Sequence, residues 1–171
     1  ESPNRFLAII DDFCSGESHE CTPWFHFQHD NHLREDSQTR LGLYGENQNK
    51  ICQIQCYDNE SISIPHTRIR GQKKPHYQGW YSHNGRELSE NDALGFEVVG
   101  GNRIVATVFD FVMGKTGKPY IRSGTLGRYL RFALTQGESK TDLRIRTDSE
   151  GNYSFELEID GVAKEIIIDS N

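Results

Sequence analysis

The chain has 171 residues, of which 35% are apolar, and this is enough for the core of one domain of ordinary size. Its 25 acidic residues outnumber its 19 basic residues, and the formal net charge of -6 offers no global positive field to a nucleic acid. No apolar stretch approaches the ~18 residues of a membrane-spanning helix. We therefore predict one acidic domain over residues 1–171, with no nucleic-acid partner and no membrane span.

Alternating apolar and polar side chains dominate the first half of the chain, which is the period of strands rather than helices. Short strands are predicted at 5–11, 24–29, 40–44, 51–57, 62–64, 67–69 and 79–83. Two polar segments, 32–38 and 87–94, are predicted as helices of one or two turns. These helices would serve only as connectors.

Glycine-containing turns divide the second half into hairpins, because glycine and asparagine supply the positive φ angles of tight turns. The hairpins are predicted to join strands at 96–99 and 103–113, at 128–135 and 143–147, and at 153–159 and 162–168. The segment from Ile104 to Met113 is apolar at both parities, as a central strand covered on both faces would be. We predict an all-β, single-domain antiparallel β-sandwich of jelly-roll type, with a closed β-barrel as the alternative.

The cysteines and the start of the chain bear on the compartment. Cys52 and Cys56 lie in one predicted strand, ~13 Å apart along one face, so they cannot pair with each other. A disulfide would join Cys14 to Cys21, or one of these two to the strand. The chain starts at Glu1 without an apolar leader, which suits a mature exported protein or a trimmed chain. We expect an extracellular, cell-surface or periplasmic protein with a disulfide.

One local cluster has the side chains of a zinc site, since imidazole and thiolate are good zinc ligands. It contains His19, Cys21, His26, His29 and His32. Its spacing matches no ligand motif, and in an extended strand His26 and His29 point to opposite faces. We expect polar loop histidines and neither metal nor cofactor, with zinc as the alternative.

Strand alternation places aromatic, amide and charged side chains on outward faces. A basic stretch at 68–74 is also followed directly by aromatic and imidazole rings. If these sets share one sheet, the surface suits a sugar, because rings stack on pyranose faces and arginine forks bind carboxylates. The predicted binding residues are Trp24, His26, Gln53, Gln55, Tyr57, Arg68, Arg70, Trp80, Tyr129 and Arg131.

Carbohydrate binding, with an acidic glycan as the partner, is therefore the predicted function. A polysaccharide lyase or another glycan-active enzyme on the same face is one alternative; in a lyase, Arg68 or Arg131 would neutralise a uronate. His26 or His66 would then move the proton together with Tyr57 or Tyr129. A structural or adhesive surface subunit is the third hypothesis, because many strand edges can pair with neighbours.

Overall fold

The computed structural model describes residues 6–13, 17–37, 39–58, 63–82, 84–101, 103–111, 128–136, 139–147 and 153–168. Only the backbone is described for residues 128–130, 132–136, 147, 153 and 164–168. In the described ranges the chain is all-β without a helix, and every strand pair is antiparallel.

The strands follow one another along the chain in short segments. They are β1 (Phe6–Phe13), β2 (His19–Cys21), β3 (Trp24–His26), β4 (His32–Ser37), β5 (Arg40–Tyr44), β6 (Lys50–Tyr57), β7 (His66–Arg70), β8 (Trp80–Ser82), β9 (Leu88–Glu90), β10 (Asp92–Phe96), β11 (Val98–Gly100), β12 (Arg103–Asp110), β13 (Arg128–Gln136), β14 (Ser139–Thr147), β15 (Tyr153–Ile159) and β16 (Val162–Ile168).

The largest sheet has the order β1-β12-β6-β5-β4, and its strand β12 is buried from Ile104 to Asp110. Side chains of β12 enter two separate core clusters. Val105 and Phe109 belong to the first cluster, whereas Ala106 and Val108 belong to the second. This confirms the prediction of a central strand that is covered on both faces.

The first core cluster joins the large sheet to a three-stranded sheet of order β3-β10-β7. Every residue of β10 is buried, and Leu94 and Phe96 pack in this cluster. The ring of Phe25 on β3 lies edge-on to Phe96 at 6.2 Å and to Phe109 at 5.5 Å between centroids. Aromatic packing therefore ties the small sheet to one face of the large one.

The second core cluster joins the opposite face of the large sheet to the four-stranded sheet β13-β14-β15-β16. Leu143, Ile145 and Phe155 of the four-stranded sheet pack in it. The turn between β15 and β16 has positive φ at Asp160 (51°) and Gly161 (83°), as a tight hairpin turn requires. The two C-terminal hairpins are confirmed.

Other predictions of structure were wrong. The segments predicted as helices form strands instead, since 32–37 lies in β4 and 87–94 contains β9 and the start of β10. Pairing of β10 with both β3 and β7 overrides the local preference. The 96–99 and 103–113 strands do not form a hairpin, because β11 pairs with β2 and β12 pairs with β1 and β6. None of the described sheets closes into a barrel.

The described cysteines Cys21, Cys52 and Cys56 are free thiols, so the predicted disulfide is wrong, both between Cys14 and Cys21 and from either of them to the strand that contains Cys52 and Cys56. Cys14 itself lies outside the described residues. Burial raises the pKa of Cys52 and of Cys56 to about 11, which keeps both thiols protonated at neutral pH. Nowhere in the described ranges does a helix have the length and apolarity to span a bilayer.

Candidate functional site

The ten predicted binding residues do not form one face. Trp24 and His26 lie on β3 and Arg68 and Arg70 on β7 of the same small sheet, but on opposite faces of it. The register is the reason, because His26 is opposite Ala93 of β10, whereas Arg68 is opposite the next residue, Leu94. Consecutive residues of a strand point to opposite faces.

Three predicted residues lie on β6, between the large sheet and the four-stranded sheet. Tyr57 is only 4% exposed and packs in the second core cluster. Its hydroxyl donates to Oε1 of Gln55 at 2.7 Å, and burial raises its pKa to about 12. Alternation along β6 places Gln53 on this same face. A glycan on the surface of the small sheet is out of reach of these residues.

Arg131 lies on β13 of the four-stranded sheet, where it is an element of an ion-pair network. Its Nε donates to both carboxylate oxygens of Asp142, at 3.0 and 2.9 Å. Arg144 extends the network to Glu156 at 2.8 Å, and the bonds from Arg131 lower the pKa of Asp142. The backbone of Tyr129 belongs to the same strand, but its side chain lies outside the described part.

Arg68 and Arg70 flank a fully buried carboxylate, that of Asp92. Asp92 Oδ1 lies 3.3 Å from Arg68 Nε and 3.5 Å from Arg70 Nη1. Asp92 Oδ2 accepts the backbone N–H of Leu33 on β4 at 2.6 Å. This carboxylate therefore links the small sheet to the edge of the large sheet.

The remaining predicted residues, Trp24, His26 and Trp80, lie at or beside a β-hairpin formed by residues 71–80. Backbone bonds in both directions join Gln72 and Gln78, at 2.9 and 3.0 Å. The carbonyl of Gly79 accepts the N–H groups of Gly71 and Asn91, at 3.0 and 2.9 Å. The hairpin is thus anchored at its base to the strand leading into β10.

Gly79 has a positive φ of 73°, and a Cβ there would lie 2.8 Å from the carbonyl oxygen of Asn91. Only glycine allows this conformation and this close backbone approach. The sequence Gln78-Gly79-Trp80 therefore fixes where the indole ring emerges from the hairpin.

The indole of Trp80 is the centre of a group of polar and aromatic side chains. Its Nε1–H donates to the carbonyl of Gln72 at 2.8 Å, Lys73 Nζ lies 5.4 Å from its ring centroid, and the ring of Tyr77 is 6.4 Å away. Tyr77 is 70% exposed. We call this group, with the side chains that complete it, the hairpin patch: His26, Gln72, Lys73, Tyr77, Gln78 and Trp80.

His26 connects β3 to the hairpin patch, because its Nε2 lies 3.3 Å from Nε2 of Gln78. Trp24, two residues earlier on β3, lies over Gly95 of β10, where a Cβ would come within 2.9 Å of the indole. Trp24 and His26 therefore share the outer face of the small sheet, next to the hairpin.

The hairpin patch offers rings, amides and a cation to a ligand in solution. The ammonium of Lys73 lies over the Trp80 ring, and Lys74 and His76 follow it on the exposed tip of the hairpin. The nearest acidic side chain in the ladder is Glu90, opposite Trp80, and its carboxylate lies 4.0 Å from Arg70. The tip is therefore positively charged within a chain whose net charge is negative.

The sequence prediction missed four residues of the hairpin patch. The ten predicted residues do not include four members of the patch, although the basic stretch followed by rings marked the segment that contains them: Gln72, Lys73, Tyr77 and Gln78. Alternation cannot select residues in a turn, because their side-chain directions depend on the hairpin geometry. The density of charge and rings was the available signal.

The described residues contain no group of three or more His, Cys, Asp or Glu side chains that could hold a metal ion. His19, Cys21, His26, His29 and His32 therefore do not assemble into a zinc site there. No protein-family model, curated protein or solved structure matches this chain.

Proposed function

We propose that this chain is a carbohydrate-binding β-domain that recognises an acidic glycan through the hairpin patch and the adjoining face of β3. The observation that carries the proposal is the indole of Trp80, oriented by its bond to Gln72 and flanked by the exposed ring of Tyr77 and the ammonium of Lys73. An aromatic platform and a cation beside it are what a negatively charged sugar requires.

Each feature of the hairpin patch has a role in this proposal. The exposed ring of Tyr77 stacks on the C–H face of a pyranose, next to the Trp80 indole, which is tilted by 53° to it. Lys73 contributes charge attraction to a carboxylate or sulfate, and the amide of Gln78 bonds hydroxyl groups. The hairpin is held by backbone bonds before the ligand arrives, so little ordering entropy is lost on binding.

The architecture behind the site is part of the proposal. We infer a sandwich-like stack in which the large sheet lies between the small sheet and the four-stranded sheet. The two core clusters support it, since each contains residues of the large sheet and of one other sheet. An acidic glycan as ligand goes with a place outside the cell, at the cell surface or in the periplasm.

The test is titration with uronate oligosaccharides, sulfated oligosaccharides and a neutral oligosaccharide of equal length, followed by Trp fluorescence and calorimetry. We expect saturable binding of an acidic ligand that weakens as salt is raised. Tyr77→Ala should weaken it tenfold or more, and Lys73→Gln should weaken it and flatten the salt dependence.

Two control variants match these substitutions. Tyr81→Ala removes the aromatic ring of the residue that follows Trp80 in β8. The Tyr81 ring points to the face of β8 opposite Trp80 and stacks on His29, with 5.8 Å between the ring centroids. Lys140→Gln removes an exposed lysine from the four-stranded sheet. Both should bind like the original chain.

Failure to bind any acidic oligosaccharide, or equal affinity in Tyr77→Ala and Tyr81→Ala, would overturn the proposal. Absorbance of unsaturated uronates would rise during the titration if the chain were a lyase instead of a binding module. Absence of binding together with a sedimentation coefficient that rises with concentration would favour the adhesive subunit.

A further inference from the structure

Arg68 lies on the inner side of β7, at the seam between the small sheet and the edge strand β4. Its neighbours in this row, His66 and Arg70, also face β4. His66 Nε2 is 4.0 Å from Glu35, and Arg70 Nη1 is 3.3 Å from Nδ1 of His32. The seam therefore carries a row of basic side chains on β7 opposite polar groups of β4.

Among the described residues, the guanidinium of Arg68 is held by a hydrogen bond from its Nε. Its Nε donates to Oδ1 of Asp92 at 3.3 Å, and the Asp92 side chain has no exposed surface. Asp92 is itself fixed by the N–H of Leu33 and lies in the fully buried strand β10. The orientation of the guanidinium plane is thus set by a rigid, buried carboxylate before any ligand binds.

The other edge of the guanidinium is open. Arg68 is 38% exposed, and its two terminal nitrogens form no hydrogen bond with any of the described residues. Arg70 differs, because its Nη2 donates to the carbonyl of Glu90 and its Nη1 lies next to His32. Within the described residues, Arg68 therefore presents a fork of N–H groups that has no partner.

Among the described residues, no carboxylate contacts the terminal nitrogens of Arg68. Asp92 lies next to Nε of Arg68 and Nη1 of Arg70, and Arg70 has a second carboxylate, that of Glu90, 4.0 Å away. The exposed carboxylates nearby are engaged elsewhere, Glu35 near His66 and Glu90 near Arg70. In the described part of the chain, neither forms an ion pair with Arg68.

We propose that the terminal nitrogens of Arg68 bind an oxyanion, namely a carboxylate, sulfate or phosphate group, at the seam between β7 and β4. A planar guanidinium fork whose Nε is already fixed matches two oxygens of such a group with parallel N–H···O bonds. The site is on the opposite face of the small sheet from His26 and does not depend on the hairpin patch.

The experiment is an NMR titration of the whole chain with sodium sulfate and, separately, with sodium glucuronate. Sodium chloride at matched ionic strength and glucose are the blanks. We expect a saturable shift of the Arg68 Nε–H resonance and of the backbone amides of Ile69 and Leu94, with a dissociation constant in the millimolar range.

Arg68→Lys is the informative variant, because lysine keeps the positive charge near Asp92 but has no fork. It should lower the affinity at least tenfold, as read from the amides of Ile69 and Leu94. Arg103→Lys is the matched control, since Arg103 also lies 3.4 Å from an aspartate, Asp58. It should bind like the original chain.

The outcomes separate the sources of the oxyanion. Binding of sulfate alone supports a tetrahedral group, and binding of glucuronate alone supports the carboxylate of a sugar. Shifts that rise linearly with every salt, or that are the same in Arg68→Lys, would overturn the site. Lys73→Gln should leave this titration unchanged, so failure here and failure of the hairpin patch can be told apart.

Discussion

Replacing Asp92 with alanine tests the central structural claim, that one buried carboxylate holds two sheets together. Asp92 is fully buried, accepts the N–H of Leu33 from the large sheet at 2.6 Å, and lies 3.3 and 3.5 Å from the two arginines of β7. Alanine removes all of these interactions at once.

The loss of stability can be estimated from the groups left behind. A buried N–H without an acceptor, that of Leu33, costs about 2 kcal/mol. Arg68 and Arg70 are 38% and 30% exposed, so water replaces part of their lost partner, and they add about 1–2 kcal/mol. The sum of about 3–4 kcal/mol corresponds to a fall of roughly 10 °C in Tm for a chain of this size.

Urea unfolding and calorimetry measure the effect, with Asp36→Ala as the control. The carboxylate of Asp36 forms a closer ion pair, 2.5 Å from Lys50, but on the surface, where such a pair contributes at most about 1 kcal/mol. Asp92→Asn keeps an oxygen for the N–H of Leu33 and should lose about half as much as alanine. If Asp92→Ala does not fold, the loss of stability in Asp92→Asn still measures the contribution of the carboxylate. A loss for Asp92→Ala within 1 kcal/mol of the Asp36→Ala loss would refute the reasoning.

Three further predictions follow from the core and the surface. Cys52 and Cys56 are each 1% exposed, and the pKa of each is raised to about 11. Both thiols should therefore resist alkylation at about pH 8 until urea unfolds the chain, as measured by peptide mass spectrometry. Rapid labelling of the folded chain would contradict their burial. Asp142→Asn should destabilise the chain by about 1 kcal/mol at pH 7. Because the folded pKa of Asp142 is lowered from 3.8, this difference in the free energy of unfolding should shrink as the pH falls below 3.8. A difference that stays constant down to about pH 2 would contradict the pairing of Asp142 with Arg131. Gly95→Ala brings a methyl group within 2.9 Å of the Trp24 indole. The substitution should lower the free energy of unfolding by about 1–3 kcal/mol and change the Trp fluorescence. Unchanged fluorescence would show that the Trp24 ring does not lie over Gly95.

Alternation predicted the parts of the fold in which side-chain period alone decides the outcome. The doubly apolar strand from Ile104 is central, and Asp160 and Gly161 form the turn where the sequence placed it. Cys52 and Gln53 point to opposite faces of β6, as predicted. These features are local, so they are readable from one segment at a time.

The grouping of strands into sheets could not be read in this way. The side chains predicted to face outward on β6 lie toward the four-stranded sheet, as the burial of Tyr57 shows. Those predicted to face outward on β3 lie toward solvent, as the exposure of His26 shows. Alternation indicates which side chains share a face of one strand, but the neighbouring strands and sheets determine what covers that face. The predicted common surface required knowledge of long-range pairing, which a single sequence does not contain.

Asp92 shows what polarity alone did not reveal about two segments. The segment 87–94 was predicted as a solvated helix and the arginines of β7 as part of a ligand-binding face. The helix prediction was wrong, and the two arginines lie on the inner side of β7, because a carboxylate with no exposed surface lies beside both of them and accepts a backbone N–H of another sheet. A charged residue in an otherwise apolar strand can be the link between layers.

The same coverage explains where recognition is possible in this molecule. Side chains on both faces of the central strands β6 and β12 pack in the two core clusters with residues of other sheets, so few of them are available to a ligand. A hairpin that leaves the small sheet is free of that constraint, and Tyr77 at 70% exposure shows how far its rings project. Binding on a loop that a rigid scaffold positions is the general consequence of burying sheet faces, and the hairpin patch follows from it.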